Sequence, residues 1–411
     1  MSPAASPSAA RVLLLTGKGG VGKTTLAAAT AARCATAGVN TCVVSTDTAH
    51  SLADVLGVPL GSEPLTVADR LSAVHVDQRA EMRKGWESLQ AYLRDLASTA
   101  GMNDVQAAEL AVLPGFDDVV TLAAVVDLAD TGGFDLVVVD CAPSAETIRL
   151  LSLPHVLTWW LERILTAVPS SGTANLMAMA ALLGETLGVP TPSSSLMSGA
   201  RQLLERLEHA RSVLHDDERT LVRLVTTPEQ VVVTETRRTA TYLALFGFSI
   251  DAVIANRVLG PQADVFWQNW SHDQGKQLER LRIDMAPAEV LEVGLAAQAP
   301  NGLDDLTGLG QALYGDRDPS QRIRGRPDPG AHDSSGTALR FAVEGVDSSD
   351  VSLGRQAGEL HLRIGPYHRV VALPDALVAQ PVRSARVSGG ELLVEFEPLT
   401  ESSAVETGGS T

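Results

Sequence analysis

Cysteine is scarce in this chain, and its placement excludes two kinds of structure. Three cysteines occur in 411 residues, Cys34, Cys42 and Cys141, and no two of them form a C-x-x-C pair. A disulfide framework and a structural zinc site both need cysteines in greater number or at closer spacing. The pattern therefore predicts reduced thiols, as in a cytoplasmic protein, and no zinc.

Basic residues and long apolar runs are also in short supply. Lys and Arg number 32 against 49 Asp and Glu, which gives a formal net charge of −17. This charge predicts no binding to nucleic acid and at most a transient contact with anionic membranes. No apolar run reaches the ~18 residues of a membrane-spanning helix. The Ser/Pro/Ala-rich residues 1–10 do not resemble a signal peptide, so we expect a soluble, cytoplasmic protein with a short tail.

The chain does contain a glycine loop in the context that binds phosphate. Residues Gly17–Thr24 read GKGGVGKT, after an apolar run and before an alanine-rich helical stretch. Glycines let backbone N–H groups close round phosphate oxygens, and the helix N-terminus adds unpaired donors and a positive dipole end. The motif predicts that Lys23 reaches the β and γ phosphates of ATP and that Thr24 holds Mg²⁺.

Apolar strand-like runs alternate with helix-length segments along most of the chain. The runs are Arg11–Leu15, Thr41–Ser45, Ser72–Val76, Leu136–Asp140, Arg223–Thr226 and Ala252–Ala255. This alternation predicts an α/β fold, a doubly wound parallel sheet with its ligand at the carboxyl ends of the strands.

Two aspartates follow or end these predicted strands. Asp47 is suited to orient an attacking water, and Asp140 ends a Walker B pattern suited to Mg²⁺. Taken alone, each aspartate is weak evidence, because a helix cap or a turn residue is the more common interpretation of such a position. The glycine loop in the same chain favours the functional interpretation.

Composition divides the chain into segments. The predicted order is a tail (1–10), a P-loop ATPase domain (11–314) with a helical client-type insertion (about 156–211), a linker (315–336), a small all-β domain (337–398) and a second tail (399–411).

Lys18 is an additional lysine inside the glycine loop. It resembles the deviant Walker A class, which includes nitrogenase iron protein, the Min and Par partitioning ATPases, and the arsenical-pump and tail-anchored-protein targeting ATPases. In that class the additional lysine reaches across a homodimer to the nucleotide of the partner. The resemblance therefore implies a homodimer in which Lys18 is catalytic.

Two further motifs make the resemblance specific. Ser45–Asp54 read STDTAHSLAD and are similar to switch I of the arsenical-pump and tail-anchored-protein targeting ATPase family. The run DCAPSAETIRLL, which begins at Asp140, is similar to switch II of that family. The resemblance spans about residues 11–314 and implies that Asp47 positions water and that Asp140, partly through water, holds Mg²⁺.

The same resemblance assigns the nucleotide contacts. It implies that Glu229 and Asn256 contact the ribose and the base. Without the resemblance, Glu229 reads as a surface residue and Asn256 as a turn residue. The residues implied to bind the phosphates are Gly19, Gly20, Val21, Gly22, Lys23, Thr24 and Thr25.

The chain departs from the family at several positions. Thr48 replaces the usual proline of switch I, and Ala145 and Glu146 replace glycine and histidine in switch II. The C-x-x-C that clamps the eukaryotic targeting dimer with zinc is missing, and the cysteines of the arsenite-binding subunit are not recognisable. We expect a homodimer without zinc, and no arsenite binding, which requires thiolate ligands.

The last part of the chain differs in composition. Short strand-like runs separated by Gly, Pro and Asp turns predict a small all-β sandwich. The runs are Leu339–Val343, Glu359–Ile364, His368–Ala372, Val382–Ser388 and Glu391–Phe396. Tyr367–Pro374, Val382–Val387 and Gly389–Phe396 resemble the closing strands of an alpha-crystallin (small heat-shock protein) domain.

Together these features predict a homodimeric ATPase that closes on ATP, opens after hydrolysis and binds hydrophobic transmembrane segments as a targeting factor or chaperone. The Met/Leu-rich part of residues 156–211 either shields such a segment or is ordinary helical core. Two other functions stay open: an ATPase that energises an arsenite or metalloid pump, and a nucleotide switch for assembly or scaffolding without membrane-protein clients.

Overall fold

The computed structural model of the chain describes two compact units. One unit takes residues from Met1–Leu221 and Gln298–Gln321, and the other takes residues from Val222–Ala297 and Arg322–Thr411. The described residues are 9–46, 51–76, 116–141, 194–245, 248, 250–260, 265–286, 288–323, 338–343, 351–356, 358–364, 367–373, 375–388 and 391–397.

The first unit is built on a mainly parallel sheet. Its described strands are β1 (Arg11–Thr16), β2 (Thr41–Ser45), β3 (Leu65–Ala68), β4 (Leu71–His75) and β5 (Leu136–Asp140). They are ordered β3-β4-β2-β5-β1, and only the pair β3 and β4 is antiparallel. The helices of this unit are α1 (Lys23–Thr36), α2 (Ser51–Leu56), α3 (Phe116–Thr131), α4 (Ser194–Leu214) and α7 (Leu303–Tyr314).

The central strands of this sheet are covered on both faces. Every residue of β2 and β5 is buried, as is every residue of β1 after the first. Strands buried along their whole length need cover on both faces, and α1 and α3 each pack on β1 and β5. This explains the uninterrupted apolar runs in the sequence and confirms the predicted α/β class.

Helix α7 packs closely against α1. The hydroxyls of Thr30 and Tyr314 are 2.9 Å apart, and Arg33 Nη2 donates to the carbonyl oxygen of Gly315 at 3.1 Å. At Gly310 a Cβ atom would lie 2.5 Å from the carbonyl oxygen of Ala29. The two helices therefore touch through backbone at a position where only glycine fits.

Helix α4 covers the end of the predicted insertion and packs on α3. Arg206 Nε donates to Asp127 Oδ2 at 2.6 Å, and His209 Nε2 lies 2.6 Å from Asp130 Oδ2. The buried positions of α4 are Leu203, Leu207, Ala210, Val213 and Leu214, whereas residues 156–193 lie outside the described residues.

No helix of the described residues is long and apolar enough to cross a membrane.

The second unit contains a run of parallel strands with two helices. The strands are β6 (Thr220–Thr226), β7 (Ile250–Val258) and β8 (Glu289–Gly294), paired in that order, and the helices are α5 (Gln230–Leu245) and α6 (Val265–Asp284). Arg223 and Asp251 form an ion pair of 3.0 Å, and both side chains are fully buried. Asp251 also accepts from the N–H of Ile323 at 3.3 Å, which further satisfies the buried carboxylate.

The C-terminal region forms a small antiparallel β structure. Its elements are β9 (Ala338–Ala342), β10 (Val351–Gln356), β11 (Glu359–Ile364), β12 (Tyr367–Ala372), α8 (Asp375–Val378), β13 (Val382–Ser388) and β14 (Glu391–Phe396). The strands form two sheets, ordered β10-β11-β12 and β13-β14-β9. Their inward residues share one core that includes Phe341, Leu360, Leu362 and Phe396. This confirms the predicted small β region.

Three strands were not predicted from the sequence: β3, β8 and β10. Each lies at the end of its strand order, with a neighbour on one side among the described strands. In β8, the exposed Glu292 lies between the buried Leu291 and Val293. In β10, every residue is exposed or only partly buried. These three strands lack the continuous apolar run by which the central strands were recognised, and a strand at the edge of a sheet does not need one.

The contact of α7 with α1 predicts opposite effects for two glycines of one helix. We expect Gly310→Ala to lower the free energy of unfolding by roughly 1–3 kcal/mol, because its methyl group overpacks the contact. Gly308→Ala is the matched control, since a Cβ there meets no atom within 4 Å. It should raise stability by about 0.5–1 kcal/mol through helix propensity. Urea unfolding followed by circular dichroism measures both, and equal stabilities would contradict the close approach.

Candidate nucleotide-binding site

The loop between β1 and α1 depends on the backbone angles of its glycines. Gly20 and Gly22 have φ of 81° and 93°, in the left-handed region that favours glycine. Gly22 is the N-cap of α1, and its carbonyl oxygen accepts from the N–H of Leu26 at 3.0 Å. The helix therefore begins directly after the loop, with its unpaired N–H groups and positive dipole end at the loop. Such a helix start favours the binding of phosphate.

The two lysines of the loop differ in exposure. Lys23 is 8% exposed, and its Nζ donates to the carbonyl oxygen of Lys18 at 3.1 Å. Lys18 itself is exposed. The side chain of Lys23 therefore lies along the glycine loop that precedes α1, whereas the side chain of Lys18 is accessible to another molecule. The other predicted phosphate ligands are Gly19 and Gly20, which are exposed, Val21, which is buried, and Gly22, Thr24 and Thr25, which are partly buried.

Asp140 lies where three strands end together. It pairs in register with Leu15 of β1 on one side and with Ser45 of β2 on the other. Asp140 is 1% exposed, and its carboxylate accepts from Ser45 Oγ at 3.4 Å. Its main-chain carbonyl oxygen accepts from the N–H and the hydroxyl of Thr46, at 3.1 and 3.2 Å. The acid of the Walker B pattern is thus held at the carboxyl edge where the glycine loop begins.

Asp47, the predicted catalytic residue, lies outside the described residues. The switch II positions Ala145 and Glu146 lie outside them as well. Thr46 directly precedes Asp47 and is placed by its two bonds to Asp140. The structure therefore places the residue from which the Asp47 segment begins, and the role of Asp47 stays a prediction.

Glu229 lies shortly after β6, and Asn256 lies in β7, directly after the last residue that pairs with β6. Thr226 of β6 pairs with Ala255 of β7, so both residues come at the carboxyl edge of this parallel pair. Glu229 is exposed before α5, and its Oε1 accepts from the Thr227 hydroxyl at 3.4 Å. The two predicted ribose and base contacts therefore share one edge of the second unit.

The chain after Asn256 is held by two side chains. Arg257 has a φ of 60°, and its N–H donates to Asn256 Oδ1 at 2.9 Å. Gln274 of α6 accepts from the N–H of Leu259 at 2.8 Å and donates to the carbonyl oxygen of Arg257 at 3.3 Å. A non-glycine residue with this φ costs free energy and persists where its surroundings hold it. The hydrogen bonds made by the side chains of Asn256 and Gln274 stabilise this conformation of Arg257.

The residues present fit phosphate and Mg²⁺. Thr24 supplies a hydroxyl and Asp140 a buried carboxylate, the hard oxygen ligands that Mg²⁺ prefers. Thr16, the last residue of β1, is 4% exposed, and within the described part of the chain its hydroxyl has no hydrogen-bond partner. A buried hydroxyl needs a polar partner, so this end of β1 suits a polar ligand.

Sequence reasoning missed three residues of this region. Ser45 and Thr46 are the first residues of the switch I motif, and their position directly before Asp47 is a clue available in the sequence. Gln274 lies in the polar helix α6, and its sequence context gives no indication of its contacts with the chain after Asn256.

Comparison with known proteins gives matches along most of the chain. Residues 10–315 match the sequence model of the family described as Anion-transporting ATPase. Residues 334–396 match that of an HSP20-like domain found in ArsA. The second match confirms the predicted alpha-crystallin-like character of the C-terminal region.

Several relatives are similar over much of their length. The chain is 32% identical over 370 residues to a candidate arsenical pump-driving ATPase of Prosthecochloris vibrioformis, which covers 89% of this chain and 91% of that protein. It is 30% identical over 399 residues to a similarly named protein of Aquifex aeolicus, covering 93% and 99%. It is also 30% identical over 270 residues to the ATPase ASNA1 homolog of Trypanosoma cruzi, covering 60% and 74%. Each of these proteins is named as an ATPase.

The contacts of Gln274 predict a loss of stability when they are removed. We expect Gln274→Leu to lower the free energy of unfolding by about 1–3 kcal/mol, because the N–H of Leu259 loses its acceptor and the carbonyl oxygen of Arg257 loses a donor. Gln277→Leu, on the same helix and partly exposed, is the matched control and should change stability by less than about 0.5 kcal/mol. Thermal unfolding of the two variants tests this, and equal midpoints would show that the Gln274 bonds are dispensable.

Proposed function

Because the chain belongs to the anion-transporting ATPase family and is an ATPase, we propose that it works as a homodimer that ATP closes and hydrolysis opens. We propose further that the closed dimer holds hydrophobic segments of membrane proteins, as a targeting factor or chaperone. The observation that carries the dimer is the contrast between the two loop lysines. Lys23 is buried along its own loop, whereas Lys18 is exposed and accessible to a second copy.

The proposed chemistry uses residues of the carboxyl edge. Lys23 and the N–H groups from Gly19 to Thr25 bind the phosphates, and Thr24 and Asp140 hold Mg²⁺, which when bound neutralises phosphate charge. Asp47 orients the attacking water. Lys18 of one copy stabilises the charge that develops on the phosphate of the other copy, as an arginine finger does.

The remaining nucleotide contacts are proposed for the second unit. Glu229 contacts the ribose and Asn256 the base, which agrees with their common position at the carboxyl edge of β6 and β7. Asn256 Oδ1 already accepts from the N–H of Arg257, and this bond orients the carboxamide. We propose that the amide nitrogen, which is a hydrogen-bond donor, contacts an acceptor on the base.

The proposed client is a hydrophobic helical segment of a membrane protein. Two features support this client: the resemblance to the tail-anchored-protein targeting ATPases and the Met/Leu-rich composition of residues 156–211. Within the described part of this segment, Leu203 and Leu207 are buried in a helix that packs on α3. This end of the segment is therefore core of the first unit, and the client contact is proposed for the residues before it.

A second candidate function is the driving of an arsenical pump, which the names of two relatives favour. Arsenite binding requires accessible thiolates. Cys34, Cys42 and Cys141 are all buried, and burial raises the pKa of the Cys42 thiol to about 12. The buried thiols favour the dimer-switch proposal, and ATPase activity that rises on addition of arsenite would favour the pump instead.

The phosphate loop predicts the effect of removing its buried lysine. We expect Lys23→Ala to weaken ATP binding at least roughly 100-fold, because charge-assisted bonds to phosphate contribute about 1.5–3 kcal/mol each. Titration calorimetry measures the affinity. Lys276→Ala, which removes an exposed lysine of α6, is the control and should leave it unchanged. Unchanged affinity in Lys23→Ala would refute the assignment of the loop.

The dimer switch predicts that a variant able to bind but not hydrolyse ATP captures clients. We expect Asp47→Asn to keep ATP affinity and to lose roughly 100-fold or more in kcat, because the water is no longer oriented. The purified variant is offered a labelled transmembrane helix with and without ATP, and a polar scrambled peptide is the control. ATP-dependent capture in a fraction of dimer mass supports the proposal. Absence of capture with ATP bound would favour an assembly switch without membrane clients.

A further inference from the structure

Two residues of the carboxyl edge, Ser45 and Thr46, contact Asp140 across the sheet. We propose that both are positioning residues for ATP hydrolysis: Ser45 orients the carboxylate of Asp140, and Thr46 anchors the backbone from which the Asp47 segment begins. The inference rests on the proposed roles of Asp140 and Asp47 in ATP hydrolysis.

The register of β2 with β5 sets the position of Ser45. Ser45 is the partner of Asp140 in the parallel pair of β2 and β5, so its position next to the acid is set by the ladder. Both residues are buried, at 0% and 1% exposure, and the Ser45 hydroxyl donates to Asp140 Oδ2 at 3.4 Å. A hydrogen bond to one oxygen of a metal-binding carboxylate restricts the rotation of that carboxylate and so orients it toward the metal or its water. Ser45 is therefore suited to tune the affinity for Mg²⁺.

Thr46 makes two hydrogen bonds to one atom of Asp140. Its N–H and its hydroxyl both donate to the carbonyl oxygen of Asp140, at 3.1 and 3.2 Å. A carbonyl oxygen has two lone pairs, and Thr46 uses both. The chain leaves β2 at this point and continues as Asp47. Thr46 thus ties the start of the proposed water-positioning segment to the Walker B strand, and small errors in such positions reduce rates strongly.

Thr41, at the opposite end of β2, bonds differently. Its buried hydroxyl donates to the carbonyl oxygen of Val39, two residues earlier, at 3.0 Å. This bond is local and satisfies a buried hydroxyl. Ser45 and Thr46 instead bond to a residue 95 and 94 positions away, and it is the proposed Mg²⁺ acid. The difference points to a role beyond satisfying the hydroxyl.

The test compares four variants of the full-length protein. Thr46→Val and Ser45→Ala remove the hydroxyls, Thr46→Ser keeps one, and Thr41→Val is the matched control on the same strand. For Ser45→Ala we expect ATP affinity without Mg²⁺ to stay unchanged, while the Mg²⁺ concentration that half-saturates the tightening of ATP binding rises roughly 10-fold. This readout is an equilibrium titration and does not depend on turnover.

For Thr46→Val we expect kcat to fall roughly 10-fold at saturating ATP and Mg²⁺, with ATP affinity unchanged and activity restored in Thr46→Ser. Thr46→Ala, which cannot overpack the site, supplies the same test if Thr46→Val does not fold. Values equal to those of Thr41→Val in both measurements would overturn the inference while the proposed function stands. A wild-type protein that neither binds nor hydrolyses ATP would refute the proposed function and the inference with it.

Discussion

The register of three strand ends is the constraint on which the phosphate-binding end of the first unit depends. Leu15, Asp140 and Ser45 pair side by side, so the glycine loop, the buried acid and the start of the Asp47 segment begin at one edge. Successive side chains of a strand point to opposite faces, so a shift by one residue would turn Asp140 away from its present neighbours. The packing of β1, β2 and β5 opposes that shift, because their buried side chains would have to repack against new neighbours on both faces.

The glycine loop also needs a helix that cannot move, since the donors at the start of α1 bind phosphate only if they stay aimed at it. That hold comes from α7, whose Tyr314 meets Thr30 across 284 residues of sequence. The closeness permitted by Gly310 brings the two backbones into contact. Local opening of α7 would release α1 on this side. The integrity of the nucleotide site therefore depends on a helix, Leu303–Tyr314, that follows the segment Val222–Ala297 of the second unit in the sequence.

The parts that could be predicted from the sequence are those with a local cause. The buried central strands show continuous apolar runs, and the glycine loop shows a spacing that few other structures require. The strands β3, β8 and β10 were missed because none of them has a continuous run of buried apolar residues, which a strand paired on one side does not need. Gly310 and Gln274 were missed for another reason: each acts through a partner far away in sequence, and nothing in its own neighbourhood indicates that partner. Ser45 and Thr46 were within reach, since they open the switch I motif.

The charge of the chain explains why one exposed lysine matters to the proposed dimer. Two copies of a chain with net charge −17 repel each other, and bound ATP adds further negative charge. Salt screens this repulsion beyond a Debye length of about 8 Å, so groups within a few ångströms of the interface decide whether the copies close. The main-chain oxygen of Lys18 accepts from Lys23, while its side chain is exposed next to glycines that let another surface approach. In the proposed dimer, the attraction of this cation is strongest when the anionic site of the second copy is close, so we expect nucleotide binding and closure to be linked.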